Sequence, residues 1–197
     1  YYGSSIKSVR SNIDALCQIE STLCYLSNHR DIIELSKSTA LIGHDGWADL
    51  RYGDFKYSSV WMRDYSEIDD LKGLKKKGLR PVMEQMGYAA AQHIKEMMGM
   101  ALLRYDKLIV LTHVPPFMEA CWHEGQISDK EWLPHFTCKA VGDEIRQISL
   151  KHNQKKIVVF CGHTHSSGKA RILPNLRVLT QGAEYGEVRQ PIIATLS

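Results

Sequence analysis

Residues 157–161 read Ile-Val-Val-Phe-Cys, five apolar residues in a row, and Gly162-His163-Thr164-His165 follows them directly. A short continuous apolar run stopped by a glycine predicts a strand buried on both faces, because a half-solvated strand would alternate with polar residues. The end of that strand presents two imidazoles two residues apart. Neutral imidazole is the commonest metal ligand, so a pair of them aimed from a rigid strand end is a candidate to hold an ion. An isolated His-x-His fits an exposed loop equally well, and the rest of the chain decides between the two.

A second run of the same kind lies upstream. Residues 108–112, Leu-Ile-Val-Leu-Thr, end in His113 and are followed by Val114-Pro115-Pro116. Two prolines cannot continue a strand ladder, so the chain turns away just past the histidine. Between the two runs, Val141, Ile145 and Ile148 recur at helical spacing and predict a helix over 139–151. A right-handed strand–helix–strand crossover makes the two strands parallel and near neighbours, with their terminal loops on one edge of the sheet. His113, His163 and His165 then converge. Three imidazoles suffice for a divalent transition metal, with an open position for an acidified water.

The remaining segments complete an α/β layered pattern. Gly3-Ser4-Ser5 predicts a helix start, and Ile6, Val9, Ile13, Leu16 and Cys17 fall on one face to about residue 19. Residues 23–26 suggest a short strand. Residues 32–35 and 39–42 flank Ser36-Lys37-Ser38 as a hairpin, and Gly43-His44-Asp45 then repeats the strand-Gly-His order. His44 and Asp45 therefore stand at the site rim, or else form an ordinary turn with Trp47 packed in the core. Helices are expected over 65–71 and 83–105. The longer one buries Met86, Ala90, Ile94, Met97 and Leu102, its methionines filling gaps in the core, and His93 reads as a plain helix histidine. Lys75-Lys76-Lys77 reads as a solvated loop. The long loop over 117–134, with Trp122, His123 and Trp132, has the length of a functional loop. Short strands are expected over 170–173, 177–180 and 192–196.

At 197 residues the chain predicts a single domain spanning 1–197, burying roughly 70% of its unfolded surface. A net charge of +3 is too small to imply nucleic acid or an acidic membrane, and no apolar run approaches the ~18 residues of a membrane span. Five cysteines, odd in number and without C-x-x-C spacing, argue against a disulfide framework and a thiolate zinc site. They point to a reducing, cytoplasmic setting.

Leu111-Thr112-His113-Val114-Pro115-Pro116 together with Phe160-Cys161-Gly162-His163-Thr164-His165 resembles the calcineurin-like metallophosphoesterase superfamily. The resemblance covers the carboxyl-terminal half directly. It implies a four-layer α-β-β-α sandwich, with two divalent metal ions (manganese, iron, zinc, cobalt or nickel) in a groove at the sheet edges. It also implies His113 and His163 on one metal and His165 on the other. The implied activity is phosphoester hydrolysis, as a phosphatase or phosphodiesterase. A metal-bound hydroxide attacks while two ions about 3.5–4 Å apart clamp the phosphate. His123 and Asp45 are the expected substrate contacts, and Arg51 and Arg63 are weaker candidates for phosphate oxygens.

The family's Asp-x-His, its bridging-Asp Gly-Asp segment and its Gly-Asn-His, whose histidine is a general acid, do not occur in this sequence. Tyr1-Tyr2-Gly3 resembles what commonly follows that last motif. The resemblance thus implies an amino-terminal portion of the sandwich, general acid included, upstream of Tyr1. Gly43-His44-Asp45 is no substitute, since it lacks the Asn. Two other functions fit the same residues: a catalytically inactive phosphoesterase-fold binding or regulatory module, and a mononuclear three-histidine zinc hydrolase.

Overall fold

A computed structural model describes residues 1–28, 32–184 and 186 of the chain. The strand expected over 192–196 lies outside them. The elements run in the order α1 (Ile6–Ile19), β1 (Ile33–Ser36), β2 (Thr39–His44), α2 (Asp64–Glu67), α3 (Lys76–Ala101), β3 (Lys107–Thr112), β4 (Trp122–His123), β5 (Gln126–Ile127), α4 (Leu133–Phe136), α5 (Lys139–Lys151), β6 (Lys156–Cys161), β7 (Gly168–Leu173) and β8 (Leu176–Thr180). Six strands form one mixed sheet in the order β1-β2-β3-β6-β8-β7, and β4 pairs with β5 in a small ribbon. The four central strands β2, β3, β6 and β8 are parallel, and the edge strands β1 and β7 are antiparallel. β3 and β6 are adjacent, as the crossover argument requires, so all four parallel strands end on the same edge of the sheet.

One face of this sheet is sealed. Ala40, Ile42, Leu108, Val110, Ile157, Val159, Leu176 and Val178 have at most 1% of their surface exposed, and they share a core with α3 and α5. The opposite face is apolar but only partly covered. The cross-strand row Leu111, Phe160 and Leu179 runs across it, with Leu111 37% exposed. The expectation that residues 157–161 are buried on both faces is thereby corrected, because Val158 and Phe160 are only half-buried. Among the described residues there is one six-stranded sheet with α3 and α5 packed on one face, beside the two-stranded β4–β5 ribbon, which is a mixed α/β architecture.

Local chemistry accounts for most boundaries. Ser5 caps α1 by accepting from the Ser8 amide at 3.1 Å. The apolar face of α1 is left partly open, with no fully buried residue and Leu16 57% exposed. Residues 23–26 form turn and extended chain, not the expected strand. α3 begins seven residues earlier than expected and takes in Lys76 and Lys77, so the triple lysine is a helix start and not a free loop. The first turn of a helix has no internal partners for its amides, which accommodates Gly78, whereas Pro81 stands inside the helix, where it has no amide to give. Met83, Ala90, Ile94, Met97 and Leu102 are buried as core, while Met86 is half-buried. The helix expected over 65–71 is the single turn α2.

The start of α5 is capped from a distance. Cys138 at its N-cap makes no side-chain cap bond. The fully buried Asp49 carboxylate instead accepts from the Ala140 amide at 2.7 Å and from the Arg51 amide at 3.3 Å, while its own amide donates to the Thr137 carbonyl. A carboxylate at a helix start meets both the orphan amides and the positive end of the helix dipole. Asp49→Ala is expected to lower stability by about 1–3 kcal/mol, measured as a fall in the urea midpoint, because it leaves a buried amide without an acceptor. An unchanged midpoint would remove Asp49 from this role. All five cysteines are free, three of them buried, and no helix among the described residues is long and apolar enough to cross a membrane.

Candidate metal centre

The carboxyl ends of the parallel strands carry the residues that the sequence singled out. β2 ends in His44, His113 follows β3, and Gly162-His163 follows β6. The Gly162 amide donates to the His113 carbonyl at 3.0 Å, which ties the two exits together. The rings of His113 and His163 stand 4.8 Å apart between centroids, inclined at 62°. Each leaves its Nε2 buried with no hydrogen-bond partner. A buried polar nitrogen without a partner costs on the order of 1–3 kcal/mol, so two of them side by side are a candidate place for a ligand.

The backbone carries the same mark. His163 and His165 both adopt left-handed conformations, with φ of 70° and 60°. Non-glycine residues rarely do so, and such strain persists where the surrounding structure holds it for a purpose. The Ala183 amide donates to the His165 carbonyl, and the Gly182 amide donates to Ser167 Oγ at 3.1 Å, fastening this loop to the exit of β8. The side chain of His165 is exposed, unlike the other two.

Electrostatics keeps the buried rings neutral, the form in which imidazole binds metals. Burial, with the neighbouring His113 acting in the same direction, lowers the pKa of His163 to about 3. Burial likewise depresses His113 below the ordinary histidine value. His44 falls to about 4 for the same reason, and its ring lies 5.0 Å from that of His93.

The arrangement also differs from the expectation. Trp47 stacks on His113 at 4.6 Å and meets His163 edge-on at 5.4 Å, so this indole belongs to the histidine cluster and not only to the core beneath it. Its position on the same sheet edge as His44 was the available signal. Asp45, expected to touch substrate, anchors the amino-terminal segment. Its carboxylate accepts from Arg10 at 2.6 and 3.3 Å and from the Tyr1 and Tyr25 hydroxyls, and its amide donates to Ser27 Oγ. Burial alone would raise its pKa, but those hydroxyls and the Arg10 charge outweigh it and hold it at about 2. His123 lies beside the loop, its Nδ1 3.4 Å from the Thr164 carbonyl and its ring 5.0 Å from those of Trp132 and Phe136. Arg51 is taken up by Asp49 and the Tyr88 ring, and Arg63 by Glu67.

The donor set fits a metal in part. Two imidazoles present free, buried Nε2 atoms. Among the described residues no group of three or more His, Cys, Asp and Glu side chains is placed to hold an ion. The clustered carboxylates that a dinuclear centre needs are absent from these residues.

No protein-family model and no curated protein matches the chain. Among solved structures, a dimetal phosphatase from Danio rerio is similar to it with a TM-score of 0.42 and 8% identity, over 77% of this chain and 48% of that one. The chain thus spans about half the length of that structure. A likeness of this strength carries no argument about fold or function.

Proposed function

We propose that the chain carries part of the metal centre of a phosphoester hydrolase. His113 and His163 hold one divalent ion and His165 faces a second. The observation that carries the reading is the pair of buried, partnerless Nε2 atoms at the ends of adjacent parallel strands. A bound divalent ion supplies Lewis acidity toward a phosphoester oxygen. The chain's own part is to hold two neutral imidazoles in fixed orientation on a rigid sheet edge, with His123 and Trp132 at the rim where a substrate enters. The apolar, half-covered second face of the sheet supports the four-layer sandwich, since Leu111, Phe160 and Leu179 form the surface another apolar layer would cover. Manganese, iron, zinc, cobalt and nickel all suit imidazole sites.

Titrating the chain with cobalt and manganese, and assaying an aryl phosphate monoester and diester, tests the reading. His163→Ala and His113→Ala are each expected to weaken metal binding at least tenfold and to abolish any metal-dependent hydrolysis. Binding unchanged in both variants overturns the proposal. A second reading, a binding module without turnover, is favoured by the lack of a complete ligand group and by Trp47 lying against His113. Metal binding by the wild-type chain without hydrolysis selects it.

A further inference from the structure

The turn that follows β2 has little freedom to move. A Cβ at Gly46 would lie 2.6 Å from the Ala90 Cβ of α3, so the chain runs too close to that helix for any larger residue. The amino-terminal segment converges on the next residue back, Asp45. The Asp45 carboxylate accepts from Arg10 of α1 at 2.6 and 3.3 Å and from the Tyr1 and Tyr25 hydroxyls, and its amide donates to Ser27 Oγ at 2.8 Å. Pressed on one helix and tied to another, the turn holds its next side chain in one place.

That side chain is Trp47. Its indole stacks on the His113 ring, 4.6 Å between centroids and 30° between planes, and meets the His163 ring edge-on at 5.4 Å and 67°. Tyr1 packs edge-on against the same indole at 6.1 Å and 75°, so the residue that bonds to Asp45 also backs Trp47. One indole thus touches both rings whose buried Nε2 atoms lack partners. Among the described residues no hydrogen bond reaches either nitrogen, so packing against the ring faces and edges is what aims them. The second side-chain torsion of histidine is broad, and an unsupported ring sweeps its Nε2 through an arc. An indole flat against one face stops that rotation, and offset aromatic pairs favour such geometry.

We propose that Trp47 is a positioning residue: stacked on His113, edge-on to His163 and held by Tyr1 and the Asp45 contacts, it fixes the ring planes that aim the two partnerless Nε2 atoms. The role rests on the reading of His113 and His163 as ligands, but the stacking itself exists without any metal.

The test is proton NMR of the histidine rings in the metal-free 197-residue chain, with zinc affinity measured by calorimetry on the same samples. Protons of a ring lying on an indole face are displaced upfield by its ring current. The wild type is expected to show this displacement for His113, assigned by the loss of its signals in His113→Gln. Trp47→Leu keeps an apolar side chain and removes the ring. It is expected to return the signals to their ordinary positions and to weaken zinc binding about tenfold, the scale on which loss of a group supporting a metal ligand acts. Trp47→Phe, which still stacks, keeps an upfield displacement and binds zinc within about threefold of wild type. Should Trp47→Leu fail to fold by circular dichroism, Tyr1→Leu removes the backing ring and one donor to Asp45, and moves both readouts the same way by less. Undisplaced His113 signals in the wild type overturn the proposal, as does a folded Trp47→Leu that binds zinc within twofold of wild type. So does a Trp47→Phe as weak as Trp47→Leu, which would assign the loss to general packing, or, where Trp47→Leu does not fold, a Tyr1→Leu with both readouts unchanged. Loss of the displacement in Trp47→Leu with no zinc bound by any sample, wild type included, upholds the positioning and refutes the ligand reading alone.

Discussion

Replacing Gly142 with alanine is expected to destabilise the protein by about 1–2 kcal/mol and lower its thermal midpoint by roughly 2–8 °C, although alanine is the better helix former. The reason is contact. A Cβ at Gly142, in the first turns of α5, would lie 1.9 Å from the Pro116 carbonyl oxygen and 3.3 Å from the Phe117 ring. The oxygen is backbone and cannot swing aside, so α5 must back away from the chain that leaves His113 through Pro115 and Pro116. Overpacking of this kind costs on the order of 1–3 kcal/mol or more, against about 1 kcal/mol gained from helix propensity. Gly99 in α3 is the internal control, since a Cβ there meets nothing within 4 Å. Gly99→Ala is expected to stabilise by roughly 0.5–1 kcal/mol. If calorimetry finds the two substitutions equal, the close approach of α5 to the Pro116 turn is not what holds this edge of the sheet. The same displacement moves His113, so Gly142→Ala is also expected to weaken metal binding, which Gly99→Ala leaves alone.

This dependence shows where sequence reading succeeds and where it stops. Strong periodicity with clear punctuation located α5 over 139–151 and the strands beside it, because Val141, Ile145 and Ile148 bury one helical face and the apolar runs admit no other element. α3 was legible only from Met83 onward. Its first turns hold Gly78 and Pro81, whose local preferences oppose a helix, and Lys76 and Lys77, whose charges meet the positive end of the helix dipole; packing of Leu79 and Met83 into the second core overrides them. The apolar runs were read as buried on two faces, which is what Leu111 and Phe160 are suited for, yet only the helix side is covered. At the site, the histidines that end strands were visible because topology alone brings parallel strand ends together. Trp47 between them was not, since stacking on His113 depends on how the turn after β2 folds back. The contacts of Ser58 and Tyr65 with the buried His135 ring had no sequence signal, because the partners stand 77 and 70 residues away.

Acid should unfold the protein well above the pH at which its carboxylates titrate. His44 and His135 are held neutral by burial, each with a folded pKa of about 4 against an ordinary value of 6.5. For His135, the charge of Lys76 adds to the effect. As the pH falls below 6.5 the unfolded chain takes up protons at these two positions while the folded chain does not. Stability that is complete above 6.5 is therefore lost progressively down to about pH 4. At 1.36 kcal/mol for each pKa unit, each histidine contributes on the order of 3 kcal/mol, and two of them take up a large share of a typical 5–15 kcal/mol total. Asp45 acts in the same direction but lower, between its ordinary pKa of 3.8 and its folded value of about 2, because its bonds from Tyr1, Tyr25 and Arg10 exist only in the native state. The expected measurement is a urea midpoint that drops steeply between pH 7 and pH 5. In His135→Gln, which cannot protonate, stability at pH 7 falls while the slope against pH becomes shallower by the share of one of the four histidines that burial depresses, His44, His113, His135 and His163. Once protonated, Nδ1 of His135 must donate to the Tyr65 oxygen and the phenolic hydrogen loses its acceptor, so protonation disturbs this contact as well as the desolvation balance. A urea midpoint that is flat from pH 7 to pH 5 in the wild type would mean that these rings are hydrated in the folded protein.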